Sequence, residues 1–327
     1  MTQIGSLCSG AGMLDLAVLE VLGGRIAWHA DTDPAAARVL DRHWPGMPNH
    51  GDITTADWSA VKSVDVITAG WPCQPWSVAG QRKGHMDERA IWPAIARVVR
   101  LLRPDLIVLE NVSAVVAAGE LARAVADLAS FGYVGSWTCV PASAVGAPHR
   151  RERLFVVAWP AADAGSKGLE IRRVEHHGPQ RPAAERDRHE SSADTERGRR
   201  DGRPAVPEPA GRAGRGTAAA GAADGPSRWG RWTAAIERWE RLTRPAPDPV
   251  ELGRRGNWRL NPAFSEWMMG LPAGWVTAVP GLSRNDQLRL IGNGCVPRQV
   301  EYALRHLLEV GREEVPALRC AVRETTQ

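Results

Sequence analysis

A chain of 327 residues, 43% of them hydrophobic, is long enough for one large core and a smaller second lobe. None of its apolar runs reaches the roughly 18 to 20 residues that span a bilayer, and the start MTQIGSLCSG lacks the basic-then-apolar layout of a secretory leader, so a cytoplasmic protein without membrane contact is expected. The net charge is only +4, and the five cysteines (Cys8, Cys73, Cys139, Cys295, Cys320) are odd in number and far apart with no CxxC pair, which argues against a disulfide framework or a zinc site and leaves no metal expected.

From residue 4 to 160, short apolar runs alternate with stretches of helical periodicity. IGSLCSG, RIAWHAD, VDVITAG, DLIVLEN and RLFVVAW read as buried strands. Between them LDLAVLEVLG, PAAARVLDRHW, IWPAIARVVRLL and LARAVADLASFG read as helices, the last stopping at Gly132. This alternation predicts an α/β fold, a mostly parallel, doubly wound sheet with helices on both faces.

The composition then changes. Residues 164–226 hold few large apolar side chains and much Arg, Gly, Pro and Ala, which predicts irregular or disordered chain when free. Residues 163–256 carry 19 basic and 15 acidic side chains, so the whole positive excess lies in this middle part, where a polyanion could be met. Order resumes at RWGRWTAAIERWERL, where Trp232, Ile236 and Trp239 fall on one helical face and read as core packing ahead of base stacking. The final segment reads as a loop followed by an amphipathic helix. The predicted organisation is a large α/β domain over 1–160, a smaller, irregular region over 161–257, and a C-terminal segment over 258–327.

Several residues stand at the predicted carboxyl ends of strands, the edge at which open α/β sheets bind ligands. The turn Ser9-Gly10-Ala11-Gly12 between a strand and a helix lets backbone approach an adenosine-type cofactor. Asp31 follows Gly12 by 19 residues, about the distance at which an acid binds ribose hydroxyls, although a loop or helix-cap carboxylate is the plainer reading. Asp52, in HGDIT, could accept from an adenine amino group or serve simple turn chemistry. Cys73 sits between Pro72 and Pro75 just after VDVITAG, in a stiff loop that suits a nucleophile, against the alternative of an inert thiol. Glu110 ends DLIVLE in the same way, pairing a proton donor with the nucleophile. Arg151 and Arg153 alternate before a strand and could bind a carbonyl oxygen or a phosphate; solvated surface charge is the plainer reading.

Taken in order, GxG, the acidic strand end, GD, PCQ, ENV, RxR, a variable stretch and GN resemble the DNA cytosine-5 methyltransferase family over residues 4–160 and 258–305. The resemblance implies transfer of a methyl group from S-adenosylmethionine to C5 of a cytosine flipped out of double-stranded DNA, by a monomer for which a separate cognate restriction endonuclease would be a partner. It implies that Cys73 adds to C6, that Glu110 holds or protonates N3, and that Arg153, supported by Arg151, binds O2. Pro72, Gln74 and Asn111 would contact the base. Cys8, Ser9, Gly10, Ala11 and Gly12 would run beside the methionine part of the cofactor, Asp31 would meet the ribose, Thr32 would stand where an aromatic often stacks on the adenine, and Asp52 with Ile53 would meet the adenine. Gly70, Pro72, Asn293 and Gly294 would complete the pocket, and the resemblance makes 1–160 the catalytic domain, 161–257 the target-recognition region and 258–327 a segment that returns to the first domain.

The chain departs from the commonest family pattern at Ser6 (an acid), Cys8 (phenylalanine), Met13 (glycine), Thr32 (an aromatic) and His149 (glutamine), which bears on cofactor affinity more than on chemistry. Two other readings stay open: a catalytically weak DNA-binding protein on this scaffold, and a cysteine hydrolase using His85 or His149 as base.

Overall fold

A computed structural model of the chain describes residues 1–71, 91–161, 171–175, 228–253 and 256–312. The chain divides into two compact units, one comprising Met1–Gly178 and Ala234–Gln327, the other Pro179–Thr233. Within the second unit the described residues include a single 3-10 turn, Gly230–Trp232.

The five predicted strands of the first unit form as β1 (Gln3–Leu7), β2 (Arg25–Ala30), β3 (Val66–Gly70), β4 (Leu106–Val112) and β6 (Glu152–Pro160). Two more join them, β5 (Tyr133–Pro141) and β7 (Ile171–Arg173). The order is β2-β1-β3-β4-β6-β5-β7. β2, β1, β3 and β4 run parallel, whereas β6 is antiparallel to both β4 and β5. The sheet is thus mostly parallel, as the alternation predicts, with one reversed strand inside it. Because the chain leaves β1 toward β2 on one side and β3 on the other, β1 marks the topological switch point where a crevice opens at the carboxyl edge.

The helices form where their sequence cues lie. α1 (Met13–Leu22) begins after Gly12, whose φ of 70° lies in the left-handed region. α2 (Pro34–His43) is capped by Asp33, whose side chain accepts from the Ala35 amide, with Pro34 in the first turn. α3 (Trp92–Leu102), the short α4 (Ala114–Ala117) and α5 (Glu120–Ser130) complete the first half. Ile95, Val98 and Val99 of α3 and Leu121, Ala124 and Leu128 of α5 pack in one cluster with Leu7, Ile67, Leu109 and Val156 of the strands. Full burial of each such side chain contributes about 1.5–3 kcal/mol.

After the middle region come α6 (Thr233–Leu242), the antiparallel pair β8 (Val250–Leu252) and β9 (Trp258–Leu260), α7 (Pro262–Met268), α8 (Arg284–Asn293) and α9 (Pro297–Arg312). Ile236 and Trp239 of α6 are buried, but Trp232 is 55% exposed, because it lies in the 3-10 turn before the helix. The predicted stripe therefore loses its first member. α9 buries Val300, Ala303, Leu304, Leu307 and Leu308 and packs on α1, β5 and β6, so the C-terminal helix does return to the sheet. Of the stretch 164–226, only residues 171–175 are among those described, and Ile171–Arg173 there add a strand to the sheet edge. No helix among the described residues is long and apolar enough to cross a membrane.

Candidate active site

A cleft of about 510 Å³ opens at the carboxyl edge of β1, β3 and β4. One side is the loop after β1 together with Asp31 and Thr32 after β2; the other is Glu110 and Asn111 of β4 with Arg153 of β6. The segment Leu290–Cys295, at the end of α8 and just beyond, supplies a further wall.

The first side is a backbone cradle. Cys8 and Gly10 both have positive φ, 51° and 54°, so the loop turns sharply at the end of β1. A Cβ built on Gly10 would meet nothing within 4 Å, so the glycine leaves free space above the loop. The Gly10 amide donates to Asp31 Oδ2 at 2.7 Å, and the Asp33 amide donates to Asp31 Oδ1 at 2.8 Å. Burial pushes the Asp31 carboxyl above its ordinary range, an effect these two amides oppose. Burial first, then the charges of Asp31 and Asp52, push the Cys8 thiol up to about 12, so it stays neutral. An open cleft bordered by such a loop and an acid at the end of the next strand fits a nucleoside bearing a small polar tail, the chemistry the resemblance assigns to S-adenosylmethionine.

The second side is a buried ionic group. Glu110 pairs in register with Gly70, where an added Cβ would stand 3.4 Å from Glu110 Oε2. Burial raises the Glu110 carboxyl above its usual value, and the charges of Arg153 and Arg151 only partly offset this. Arg153 reaches it because β6 is antiparallel to β4, which brings the start of β6 to the edge where β4 ends: Val112 faces Arg153, and Arg153 Nε lies 2.9 Å from Glu110 Oε1. Arg151, just before β6, donates instead to the carbonyls of Gly292 at 2.7 Å and Gly294 at 2.5 Å. It thereby ties the GN segment to the start of β6. Burial and the neighbouring Arg153 lower Arg151 to about 10. Gln299 of α9 donates to the carbonyls of Val140 and Arg151, bracing the same corner. Asn111 Oδ1 accepts from the Val112 amide, while its buried Nδ2 has no partner among the described residues.

The structure therefore gathers Glu110, Asn111, Arg153, Gly70, the Cys8–Ala11 loop, Asp31, Thr32, Asn293 and Gly294 around one cleft. Arg151 and Gly12 stand behind it, Gly12 against the ring of Trp44. Asp52 is exposed and accepts from the amide and hydroxyl of Thr54, and Ile53 lies in the hydrophobic core, so neither lines the cleft wall. Pro72, Cys73 and Gln74 lie outside the described residues; Cys73 follows Gly70, the last residue of β3, by three positions.

The departures from the family pattern find partners. Ser6 donates to the buried Asp15 at 2.7 Å, and Thr68 of β3 donates to the other oxygen of that carboxyl at 2.5 Å. Met13 fills the space beside Gly294, where an added Cβ would stand 2.1 Å from its sulfur. Nε2 of His149 is engaged with the Met268 carbonyl at 3.0 Å, and burial lowers its basicity. Sequence reasoning missed Asp33, Arg289 and Cys295, which also line the cleft. Arg289 of α8 forms an ion pair with Asp33, across 256 positions of chain, and no local pattern signals it.

A family model described as C-5 cytosine-specific DNA methylase matches residues 2–192. Among curated relatives, the type II methyltransferase M.DsaV of Dactylococcopsis salina is 31% identical over 154 residues, covering 46% of this chain and 43% of that protein. M.MspI of Moraxella sp is 30% identical over 145 residues, covering 43% of this chain and 34% of the relative. The chain thus spans less than half the length of these relatives. Among solved structures, the Dnmt2 methyltransferase of S. pombe superposes with a TM-score of 0.59 at 17% identity, covering 95% of this chain and 99% of that one, which establishes the likeness of fold.

Proposed function

This chain belongs to the C-5 cytosine-specific DNA methylase family, and from that premise we propose that it transfers a methyl group from S-adenosylmethionine to C5 of cytosine in double-stranded DNA. The observation that carries the reading is Glu110: a buried carboxyl, raised by desolvation toward its protonated form, beside two arginines and at the edge where the strand preceding Cys73 also ends. A carboxyl whose proton affinity is raised in this way is better suited to donate to a ring nitrogen than an exposed one.

In this reading the Cys73 thiolate adds to C6 of a cytosine turned out of the helix, at a cost on the order of a few kcal/mol for unstacking. Glu110 donates its proton to N3, which accepts the electron pair displaced by the addition, and Arg153 holds O2. C5 thereby gains carbanion character. S-adenosylmethionine, when bound, supplies the electrophilic methyl group. Solvent water then takes the C5 proton, the electrons of that bond expel the thiolate, and N3 returns its proton to Glu110, which restores the aromatic ring. The loop Cys8–Gly12, Asp31 and the Asn293–Gly294 pair would hold the cofactor, and Asn111, whose buried Nδ2 has no partner among the described residues, would orient the base. Engagement of His149 with Met268 disfavours the cysteine-hydrolase alternative, since that ring nitrogen is already occupied. The reading extends to a monomeric cytoplasmic enzyme whose middle segment recognises the target site, with a separate restriction endonuclease as its counterpart.

The test is transfer of label from methyl-labelled S-adenosylmethionine to unmethylated genomic DNA, compared with the same DNA carrying 5-methylcytosine at every cytosine. Label should enter only the first. Equal incorporation into both would place the acceptor elsewhere and overturn the reading.

A further inference from the structure

We propose that Trp275 is a positioning residue for the S-adenosylmethionine site, holding the Ser9–Gly12 loop from the far end of the chain, and that Glu266 sets Trp275 in place. The proposal rests on the functional reading above. Trp275 Nε1 donates to the Ala11 carbonyl at 2.8 Å, a buried contact across 264 positions. Its ring lies flat on His43 of α2, with centroids 3.6 Å apart and planes 5° from parallel, while His43 Nε2 approaches the Trp275 carbonyl at 2.8 Å. Trp44 meets Trp275 edge-on and fills the space beside Gly12, where an added Cβ would stand 2.5 Å from its ring. Two aromatic rings therefore back the loop on the side away from the cleft.

The loop needs such backing. Cys8, Gly10 and Gly12 hold left-handed backbone, so the local chain has little preference of its own for this course. Within the loop and its neighbour strand, Gly12 donates to the Ser9 carbonyl at 2.9 Å and Gly10 to Asp31 at 2.7 Å. The Ala11 carbonyl is taken by Trp275. Removing that donor leaves a buried acceptor unpaired beside the cofactor and frees the turn to shift.

Glu266 of α7 is 1% exposed, and both its oxygens accept from the turn that carries Trp275, with the Arg244 guanidinium 4.0 Å from Oε2. Oε1 accepts from the amides of Val276 at 2.6 Å and Thr277 at 3.0 Å; Oε2 accepts from the Gly274 amide at 2.8 Å and the Thr277 hydroxyl at 3.0 Å. These donors straddle Trp275, so the carboxylate fixes the indole's approach to Ala11. The neighbouring Trp267 donates to the Arg244 carbonyl and accepts, through its own carbonyl, from Trp239 of α6. Hydrogen bonds alternating with short stretches of chain thus link α6 to the cofactor loop.

The experiment measures S-adenosylhomocysteine binding by titration calorimetry for the full chain, Trp275→Phe and Glu266→Gln, together with KM and kcat for S-adenosylmethionine and apo-protein melting curves. Trp275→Phe keeps a ring on His43 but loses the donor. It should weaken S-adenosylhomocysteine about tenfold and raise KM in proportion, with kcat at saturating cofactor changed by less than about twofold. Glu266→Gln, which points an amide N–H at backbone donors, should act in the same direction and carries the test if Trp275→Phe fails to fold. Affinities within twofold of the unmodified protein in the variants that fold, or an equal loss in kcat and in melting temperature with KM unmoved, would overturn the proposal. Absence of S-adenosylhomocysteine binding to the unmodified protein would instead overturn the functional reading on which it rests.

Discussion

Burial raises the proton affinity of Glu110 while two arginines pull the other way, and this balance makes a pH prediction. Its ordinary value is 4.5 and the folded value lies above it, so the stabilising contribution is full below 4.5 and is lost as pH rises through the raised value. The proton it donates disappears over the same window. The methylation rate should therefore fall on the alkaline side as Glu110 ionises, and Glu110→Gln should abolish that limb while slowing the chemical step about 10²-fold or more. A pH–rate profile of both proteins checks this; an unchanged alkaline limb in the variant would remove Glu110 from the proton-donor role. The identity of this residue was legible from its place at the end of an apolar run. The rise in its proton affinity was not, because that is the net of burial by elements distant in sequence and the opposing charge of Arg153, which arrives from an antiparallel strand.

Among the elements, the apolar runs that became β1 to β4 and β6 were readable because strands covered on both faces carry continuous hydrophobic sequence. β5 was not read: YVGSWTCVP interleaves Gly, Ser and Thr with its apolar residues, and buried Ser136 and Thr138 satisfy no simple pattern. Its glycine has a specific reason. A Cβ on Gly135 would stand 2.1 Å from the Val157 carbonyl oxygen, which belongs to backbone and cannot rotate away. Gly135→Ala should lower unfolding free energy in urea by about 3 kcal/mol, the upper end for overpacking; a loss under half that would show that β5 and β6 separate easily. Gly294 differs, since its would-be clash is with the flexible Met13 side chain. Gly294→Ala should weaken cofactor binding, and adding Met13→Ala should restore most of it, whereas two independent losses would show that the positions do not share space.

For the whole molecule, the sequence indicated that the C-terminal segment would come back to the sheet, and α9 packs on α1, β5 and β6. The contacts by which it reaches the cleft, Arg289 with Asp33 and Trp275 with Ala11, span more than 250 positions and have no local signature. The basic excess of residues 163–256 makes a prediction at this scale. DNA affinity should fall with salt along a log–log slope of about −0.9 per phosphate neutralised; affinity indifferent to salt would exclude this region as a phosphate contact. The proposed reaction changes one atom, C5 of cytosine, so the most direct measurement is nucleoside mass spectrometry of unmethylated DNA incubated with S-adenosylmethionine and either the unmodified protein or Cys73→Ser. 5-Methylcytosine should form with the unmodified protein and not with the variant. Its appearance with both, or its absence with folded, DNA-binding, unmodified protein, would overturn the assignment of the reaction and of Cys73.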